Sequence, residues 1–189
     1  MPLEARPESS PARVEAPAPR STAADLARLL RERGWLGSVL DEAPAELHHW
    51  LDRAAQLLAP QAASIDALAA LLDLVFHYDA REILASTEAH IVLARAGART
   101  VIRELGREVL AGTEIDSDRL KEIFTGLKER TGYGGRELFH PLRLALTGRA
   151  GEGELDRVIL LLDGAARLPF VARVKGARER MLEFCAQLD

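Results

Sequence analysis

Apolar residues recur along most of the chain at the three- and four-residue spacing of an amphipathic α-helix. The stretch after Ser64 is the clearest case, with apolar side chains at Ile65, Leu68, Leu72 and Phe76. A second stripe follows the same spacing at Leu120, Ile123, Phe124 and Leu127. Since no stretch alternates apolar and polar residues long enough to make a strand, the sequence predicts an all-α fold, a helical bundle.

Capping and terminating residues divide this pattern into separate helices. Ser21 or Thr22 would cap the first helix, which ends at Gly34, and Pro44 would open a second helix that ends at Pro60. A third predicted helix starts after Ser64, and a fourth runs from about 79 to 110 with a bend near Gly97. Another starts after Asp116 or Ser117. The last two cover 155–162, before a break at Asp163–Gly164 and Pro169, and about 170–188.

Pro141 marks one further helix. Proline is tolerated in the first helical turn, where its missing N–H is not needed, so the helix is predicted to start or kink around 138–140 and to end at Thr147–Gly148. Its apolar residues would face the core, whereas Arg143 would point outward.

The first twenty residues differ from the rest. Residues 1–20 hold five of the nine prolines and show no periodicity, which predicts a disordered Pro/Ala-rich leader. We predict an N-terminal helical subdomain at 21–111 and a C-terminal helical subdomain at 112–189.

Composition excludes several classes of protein. Of the 189 residues, 48% are hydrophobic and 29% are charged, which is globular composition. No apolar run reaches the roughly 18 residues that a membrane helix needs, and the N-terminus has no secretory apolar segment, so we expect a cytoplasmic protein away from membranes. The single cysteine, Cys185, excludes an internal disulfide and a cysteine-rich zinc site.

Few residues suggest enzymatic chemistry. His48 and His49 are adjacent, so on a helix they point about 100° apart and do not readily ligate one metal. No third ligand stands at metal spacing, and no serine, histidine and aspartate form a catalytic set. The glycine-rich segment 132–135 follows a helix and lacks the lysine of a phosphate-binding loop, so it is interpreted as a helix end. We expect no metal, no cofactor and no independent enzyme.

Charge is distributed unevenly along the C-terminal third, although the net charge is only −4. Residues 134–150 are basic, 151–163 are acidic and 164–180 are basic again. The arginines that stand out in the basic segments are Arg136, Arg143, Arg149, Arg173 and Arg180. Arg173 and Arg180 lie two turns apart on the predicted last helix. A solvated helix face explains this spacing, and a surface that follows RNA phosphates is the alternative.

The segment "GRELFHPLRLALTG" at 135–148 carries a family resemblance. It resembles the C-terminal region of bacterial glutamyl-tRNA synthetases, where a glycine-rich turn leads into a Pro-Leu-Arg-x-Ala-Leu-Thr-Gly helix. "ELDRVILLL" at 154–162 is similar to the Glu-Leu-x-x-x-Ile-x-Leu-Leu helix that follows a short loop in that family. The resemblance covers about 21–189 and is most specific at 131–162.

This resemblance implies the all-helical anticodon-binding region of a class I synthetase, with glutamate tRNA as the partner. Carried over by position, Arg143 is the candidate contact to a base or a phosphate. The segment Glu152–Leu155 would lie against the anticodon bases, with Leu155 at the apolar end of the loop. With the flanking basic positions, the predicted RNA-binding residues are Arg136, Arg143, Arg149, Leu155, Arg173 and Arg180.

The chain departs from the family in two respects. Gly153 stands where the family's loop has a proline, and Glu152 adds a negative charge. The His-x-Gly-His signature and the Lys-Met-Ser-Lys-Ser loop of the catalytic half are also missing.

These departures leave three hypotheses. The leading one is a stand-alone, non-catalytic tRNA-binding module that assists a synthetase or a tRNA-modifying system in trans. The second is a protein-interaction module that kept the scaffold and lost RNA binding. The third is a subunit that completes a split synthetase.

Overall fold

The computed structural model describes residues 22–37 and 44–188, and these ranges form ten α-helices, one 3-10 turn and no strand. The helices are α1 (Ala23–Glu32), α2 (Ala45–Leu58), α3 (Ile65–Phe76), α4 (Ala80–Ala85), α5 (Thr87–Leu93), α6 (Ala98–Ala111), α7 (Ser117–Thr131), α8 (Arg136–Thr147), α9 (Glu154–Ala166) and α10 (Ala177–Leu188). The all-α prediction is confirmed. The predicted leader lies outside the described residues.

Several helix ends lie where the sequence predicts them. The Thr22 hydroxyl accepts the Asp25 N–H, and the Asp25 carboxylate accepts the Thr22 N–H, which completes a capping box. Ser64 caps α3 and Asp116 caps α7. Gly132 ends α7 with a φ of +71°, a left-handed conformation that favours glycine. These caps are confirmed.

The predicted single helix from 79 to 110 is wrong, because three helices occupy this segment. The Ser86 hydroxyl accepts the Ala89 N–H and starts α5 immediately after α4 has ended. A further turn separates α5 from α6, and Gly97 precedes α6 at the predicted bend. A Cβ atom built on Gly97 would lie 2.3 Å from Cζ of Tyr133, so the absence of a side chain lets this ring pack on the backbone.

Three other predictions about helix bounds are wrong in the C-terminal third. Helix α9 continues through Asp163 and ends at Ala166. The Asp163 carboxylate accepts the N–H groups of Ile115 and Ala177, so the predicted break is instead a position where three segments are joined. Helix α10 starts at Ala177, later than predicted. Pro141 is the sixth residue of α8 and not part of its first turn.

The helices pack around two hydrophobic clusters that share α9. The first cluster consists mainly of side chains from α1, α2 and α3, and the second mainly of side chains from α4 to α8 and α10. Leu155, Val158 and Leu162 of α9 belong to the first cluster, whereas Ile159 and Leu160 belong to the second. The predicted boundary between 111 and 112 remains a prediction; the apolar contacts change cluster near residue 77.

Arg180 links the helices around the second cluster and is completely buried. Its guanidinium donates to the carbonyl oxygens of Leu74 at 2.9 Å and Val75 at 2.7 Å, in the last turn of α3. It also donates to Leu146 at 2.8 Å, in the last turn of α8, and to Lys175 at 2.8 Å. The side chain therefore satisfies carbonyl groups that helix ends leave without partners.

The prediction of a solvated face that carries Arg173 and Arg180 is wrong. Arg173 precedes α10 and bonds to Glu179 at 2.7 Å with its side chain 80% exposed, whereas Arg180 points into the core. The Arg180 guanidinium lies 4.6 Å from the ring centre of Tyr78. Burial lowers the pKa of Arg180 to about 10, so it remains charged at neutral pH.

Candidate nucleic-acid interface

Arg143 of the "PLRLALTG" segment lies inside the protein, with only 7% of its surface exposed. Its Nε and Nη2 atoms donate to the two carboxylate oxygens of Asp156, each at 2.8 Å. Its Nη1 atom donates to the Gly151 carbonyl oxygen at 2.8 Å. The expectation that Arg143 points outward is wrong, because the first turn of α9 and the loop before it supply acceptors for the whole guanidinium.

The packing of α8 explains why Arg143 turns inward. Leu142, Leu144 and Ala145 are fully buried, so the helix is enclosed on more than one face. The Arg143 guanidinium lies 5.1 Å from the ring centre of Phe139, and the rings of Phe139 and Phe124 pack edge to face. An ion pair in this enclosed setting requires its hydrogen bonds to be complete, and here they are.

The segment 148–153, which we call the α8–α9 loop, is held at its start and in its middle. Gly148 ends α8 at a φ of +81°, and the Thr147 hydroxyl donates to the Arg143 carbonyl oxygen at 2.9 Å. The Ala150 N–H donates to the Glu88 carboxylate of α5 at 3.0 Å. These bonds attach the first half of the loop, and the N–H of Glu152 in its exposed tip, Glu152–Gly153, donates to the Glu154 carboxylate at 3.3 Å.

Leu155, predicted as a contact at the apolar end of the loop, is only 3% exposed and packs in the first cluster. Beside the tip, a cavity of about 370 Å³ opens between α7 and α9. Its lining includes Lys121, Phe124, Gly153 and Arg157. The loop therefore presents its backbone and Glu152 to solvent, next to a recess whose walls carry an aromatic ring and both basic and acidic side chains, the acidic ones being Glu154 and Asp156.

A cluster of basic side chains lies close to this loop. Arg95, in the turn between α5 and α6, donates to the Arg136 carbonyl oxygen at 3.5 Å and contacts His140 Nδ1 at 3.2 Å. Arg136 is exposed at the start of α8, one turn before His140. Arg149 is 66% exposed and lies 3.9 Å from Glu88. Arg136 and Arg149, both predicted from sequence, thus lie at the surface.

The electrostatic surroundings of His140 show how close these groups are. Burial lowers the pKa of His140, and the positive charges of Arg95, Arg136 and Arg143 lower it further. The negative charge of Glu152 in the loop tip acts to raise the pKa of His140. The basic cluster and the α8–α9 loop therefore form one continuous electrostatic environment.

Sequence reasoning missed Arg95, His140, Asp156 and Glu88. Asp156 alone had a sequence signal, because it is an acidic residue in the first turn of the helix that follows the arginine motif. Glu88 lies in α5 and Arg95 in the turn after it, both far from the motif in sequence.

The described residues contain no group of three histidine, cysteine, aspartate or glutamate side chains that could hold a metal ion. In the same ranges, no helix is both long enough and apolar enough to cross a membrane. What the arrangement offers chemically is a braced loop beside arginine side chains, which suits binding of a polyanion.

A model of the anticodon binding domain family matches residues 25–164. The chain is also similar to parts of several glutamate–tRNA ligases. It is 28% identical over 113 residues to glutamate–tRNA ligase 2 of Syntrophus aciditrophicus, covering 60% of this chain and 23% of that protein. It is 40% identical over 83 residues to glutamate–tRNA ligase 1 of Halorhodospira halophila, covering 44% and 16%.

With the glutamate–tRNA ligase of Heliobacterium modesticaldum the identity is 29% over 165 residues, covering 82% of this chain and 31% of that protein. The chain thus spans less than a third of the length of these three relatives. No solved structure matches the chain at a significant level.

Proposed function

Because the chain belongs to the anticodon binding domain family, we propose that it binds tRNA, of the glutamate type, through the α8–α9 loop and the basic side chains beside it. The observation that carries this proposal is the bracing of the loop by Arg143 and Glu88. A loop fixed in this way loses little conformational entropy when a ligand binds, which favours affinity.

The surface that supports the proposal combines the loop tip with exposed or half-buried cations. Arg95, Arg136 and Arg149 supply positive charge around the loop. The neighbouring cavity is lined by Phe124 and Arg157 together with the acidic residues Glu154 and Asp156. Cations contact phosphates, and an aromatic ring with an arginine suits an unstacked base. Arg180 stands apart from this surface because it is fully buried.

We further propose that the chain is not catalytic by itself and assists glutamate attachment or tRNA handling in trans, in the cytoplasm. Its relatives are named glutamate–tRNA ligases, and it spans a minor part of their length. Its sequence lacks the two catalytic signatures of that family. Aminoacylation of glutamate tRNA that appears only when a catalytic partner is added would support this role.

The test of tRNA binding is fluorescence anisotropy with labelled glutamate tRNA at several salt concentrations, with an unrelated tRNA in parallel. Neutralising Arg136 or Arg149 to glutamine should lower the affinity and reduce the slope of log K against log salt by about 0.7–0.9 for each phosphate that the variant no longer neutralises. Arg53→Gln is the matched control, since Arg53 is exposed on α2 near the far end of α9. No binding at low salt, or an equal loss of affinity in the control, would contradict the proposal.

Two observations favour a second candidate, a protein-interaction module. Glu152 is exposed at the loop tip, and the net charge of the chain is −4. Both features repel a polyanion. Glu152→Gln should strengthen tRNA binding if RNA is the ligand; a pull-down that recovers a protein and loses it with Glu152→Gln would favour this second candidate.

A further inference from the structure

Arg95 and Arg136 differ in their partners from the arginines of this protein that form ion pairs. Arg28, Arg33, Arg119, Arg130, Arg143 and Arg167 each pair with a carboxylate. Within the part of the chain that the structure describes, Arg95 and Arg136 have no carboxylate within ion-pair distance. Arg95 bonds instead to a carbonyl oxygen and to an imidazole nitrogen. The surface around His140 therefore holds positive charge that no acidic side chain balances directly.

The contact between Arg95 and His140 fixes the protonation of the ring. A guanidinium can only donate hydrogen bonds, so Nδ1 of His140 must be the acceptor and carries no proton. The ring in this arrangement is neutral, with its proton on Nε2. Protonation of Nδ1 would remove the lone pair that accepts from Arg95 and would release that N–H for another acceptor.

The start of α8 adds donors to the same place. Gly135 precedes the helix and provides no side-chain cap, although the Leu138 N–H donates to the Gly135 carbonyl oxygen at 3.2 Å. The N–H groups of Arg136 and Glu137 therefore start α8 without a side-chain acceptor. Arg136 is the first residue of the helix, and His140 follows it by one turn. An anion bound here would meet Arg95, Arg136 and the positive end of the helix dipole. Glu137 is exposed in the same turn and opposes this attraction only in part.

We propose that Arg95, Arg136 and His140 form a phosphate-binding site that receives one backbone phosphate of RNA and takes up one proton at His140 Nδ1 as it does so. This inference rests on the proposed tRNA binding. No covalent bond changes in the step. A proton from solvent binds Nδ1, and the N–H that Arg95 directed at Nδ1 turns to a phosphate oxygen.

The direction of the pH dependence follows from the charges that face His140. These are Arg95 from the turn before α6, Arg136 and Arg143 from α8, and Glu152 from the loop. In the free protein, burial and the three arginines keep the pKa of His140 below its usual value of 6.5. A bound phosphodiester adds a negative charge and raises the pKa in the complex. Affinity should therefore be highest at low pH and fall as the pH rises through the pKa of the complex.

The first experiment measures binding of labelled glutamate tRNA between pH 5.5 and 8 for the unmodified chain and for His140→Gln and His90→Gln. The unmodified chain should lose up to about tenfold in affinity per pH unit within the titration range, because one proton is linked to binding. His140→Gln should reduce the number of protons taken up on binding by about one. His90→Gln should keep it, since His90 is exposed on α5 and has no part in the cluster.

The second experiment follows the His140 ring by NMR during titration with sodium phosphate and, separately, with tRNA. Either ligand should raise the pKa of His140, and Arg136→Gln should weaken both responses roughly tenfold. A response to tRNA alone identifies the RNA backbone as the source of the phosphate. Thermal unfolding of each variant checks that the fold is retained.

The outcomes separate this site from the proposed function. If tRNA binds but His140→Gln leaves its pH dependence unchanged, the phosphate site is overturned and tRNA binding stands. If tRNA does not bind while phosphate still raises the pKa of His140, the site stands and the proposed function fails. If neither ligand affects His140, the site is overturned.

Discussion

The guanidinium of Arg143 and the carboxylate of Asp156 form two parallel hydrogen bonds of 2.8 Å each. A third bond from Arg143 reaches the Gly151 carbonyl oxygen, also at 2.8 Å. Only 8% of the Arg143 side chain and 22% of the Asp156 side chain are exposed. The pair therefore fastens the α8–α9 loop to the first turn of α9, and in the proposed RNA binding its role would be to position that loop.

This relationship predicts that Asp156→Asn changes tRNA affinity in the direction opposite to that expected from the loss of a negative charge. Removing a negative charge near a polyanion strengthens binding by simple electrostatics. Here the substitution breaks the pair, so we expect tRNA affinity to fall several-fold and the free energy of unfolding to drop by about 2–3 kcal/mol. Anisotropy and urea unfolding measure the two effects. Asp52→Asn, at an exposed position on α2, is the control, and stronger binding by Asp156→Asn would refute the positioning role.

Arg180 is predicted to be a major contributor to stability. Arg180→Met removes every donor that serves the four carbonyl oxygens, so it should lower the free energy of unfolding by about 3–5 kcal/mol. Arg180→Lys keeps the charge but loses the planar fork, and should cost less. Urea unfolding measures both. Arg173→Gln, whose side chain is 80% exposed, should change stability by less than about 0.5 kcal/mol; an equal effect at both positions would be inconsistent with the geometry.

Glu183 should make the free energy of unfolding depend on pH in the acid range. It accepts the Ala80 N–H at 3.0 Å and pairs with Lys175 at 2.5 Å. Burial acts to raise the pKa of Glu183, but the Ala80 N–H and Lys175 outweigh it and lower the pKa below the ordinary 4.5. Stability from this group is thus present above about pH 4.5 and is lost as the pH falls through the folded-state pKa.

Urea midpoints between pH 3 and 6 should therefore decline less steeply in Glu183→Gln than in the unmodified chain. Glu82→Gln, at an exposed position in the first turn of α4, is the matched control. An unchanged slope in Glu183→Gln would show that the pair has no role in acid sensitivity.

Gly97 and Tyr133 should be coupled energetically. A Cβ on residue 97 would overlap the Tyr133 ring, whose nearest atom lies at 2.3 Å. Gly97→Ala should therefore cost about 1–3 kcal/mol of stability through overpacking. In the double variant with Tyr133→Ala the added cost should vanish, which a double-mutant cycle by urea unfolding measures. Strictly additive effects would mean that the ring does not pack on Gly97.

Local chemistry explains what the sequence predicted well. Thr22, Ser64 and Asp116 act on N–H groups two or three residues away, so their roles can be derived from neighbouring residues alone. The segment 79–110 was mispredicted because helical spacing continues across Ser86, and spacing does not reveal that its hydroxyl starts a new helix.

The arginines were mispredicted for a different reason. Spacing along a helix shows which residues share a face, but not what lies opposite that face. Arg180 turns inward because α3 and α8 end beside it, and Arg143 does so because Asp156 lies across the loop. Arg136 and Arg149, at the start of α8 and in the loop after it, were predicted at the surface and lie there.

The sharing of α9 between the two clusters has a consequence for how the chain can be divided. A cut between residues 111 and 112 would separate α1, α2 and α3 from Leu155, Val158 and Leu162, which complete their apolar packing. Neither fragment would then hold a finished interior, so the two halves should fold only together. A gene that encodes this unit would tolerate fusion at its ends far better than fission in its middle.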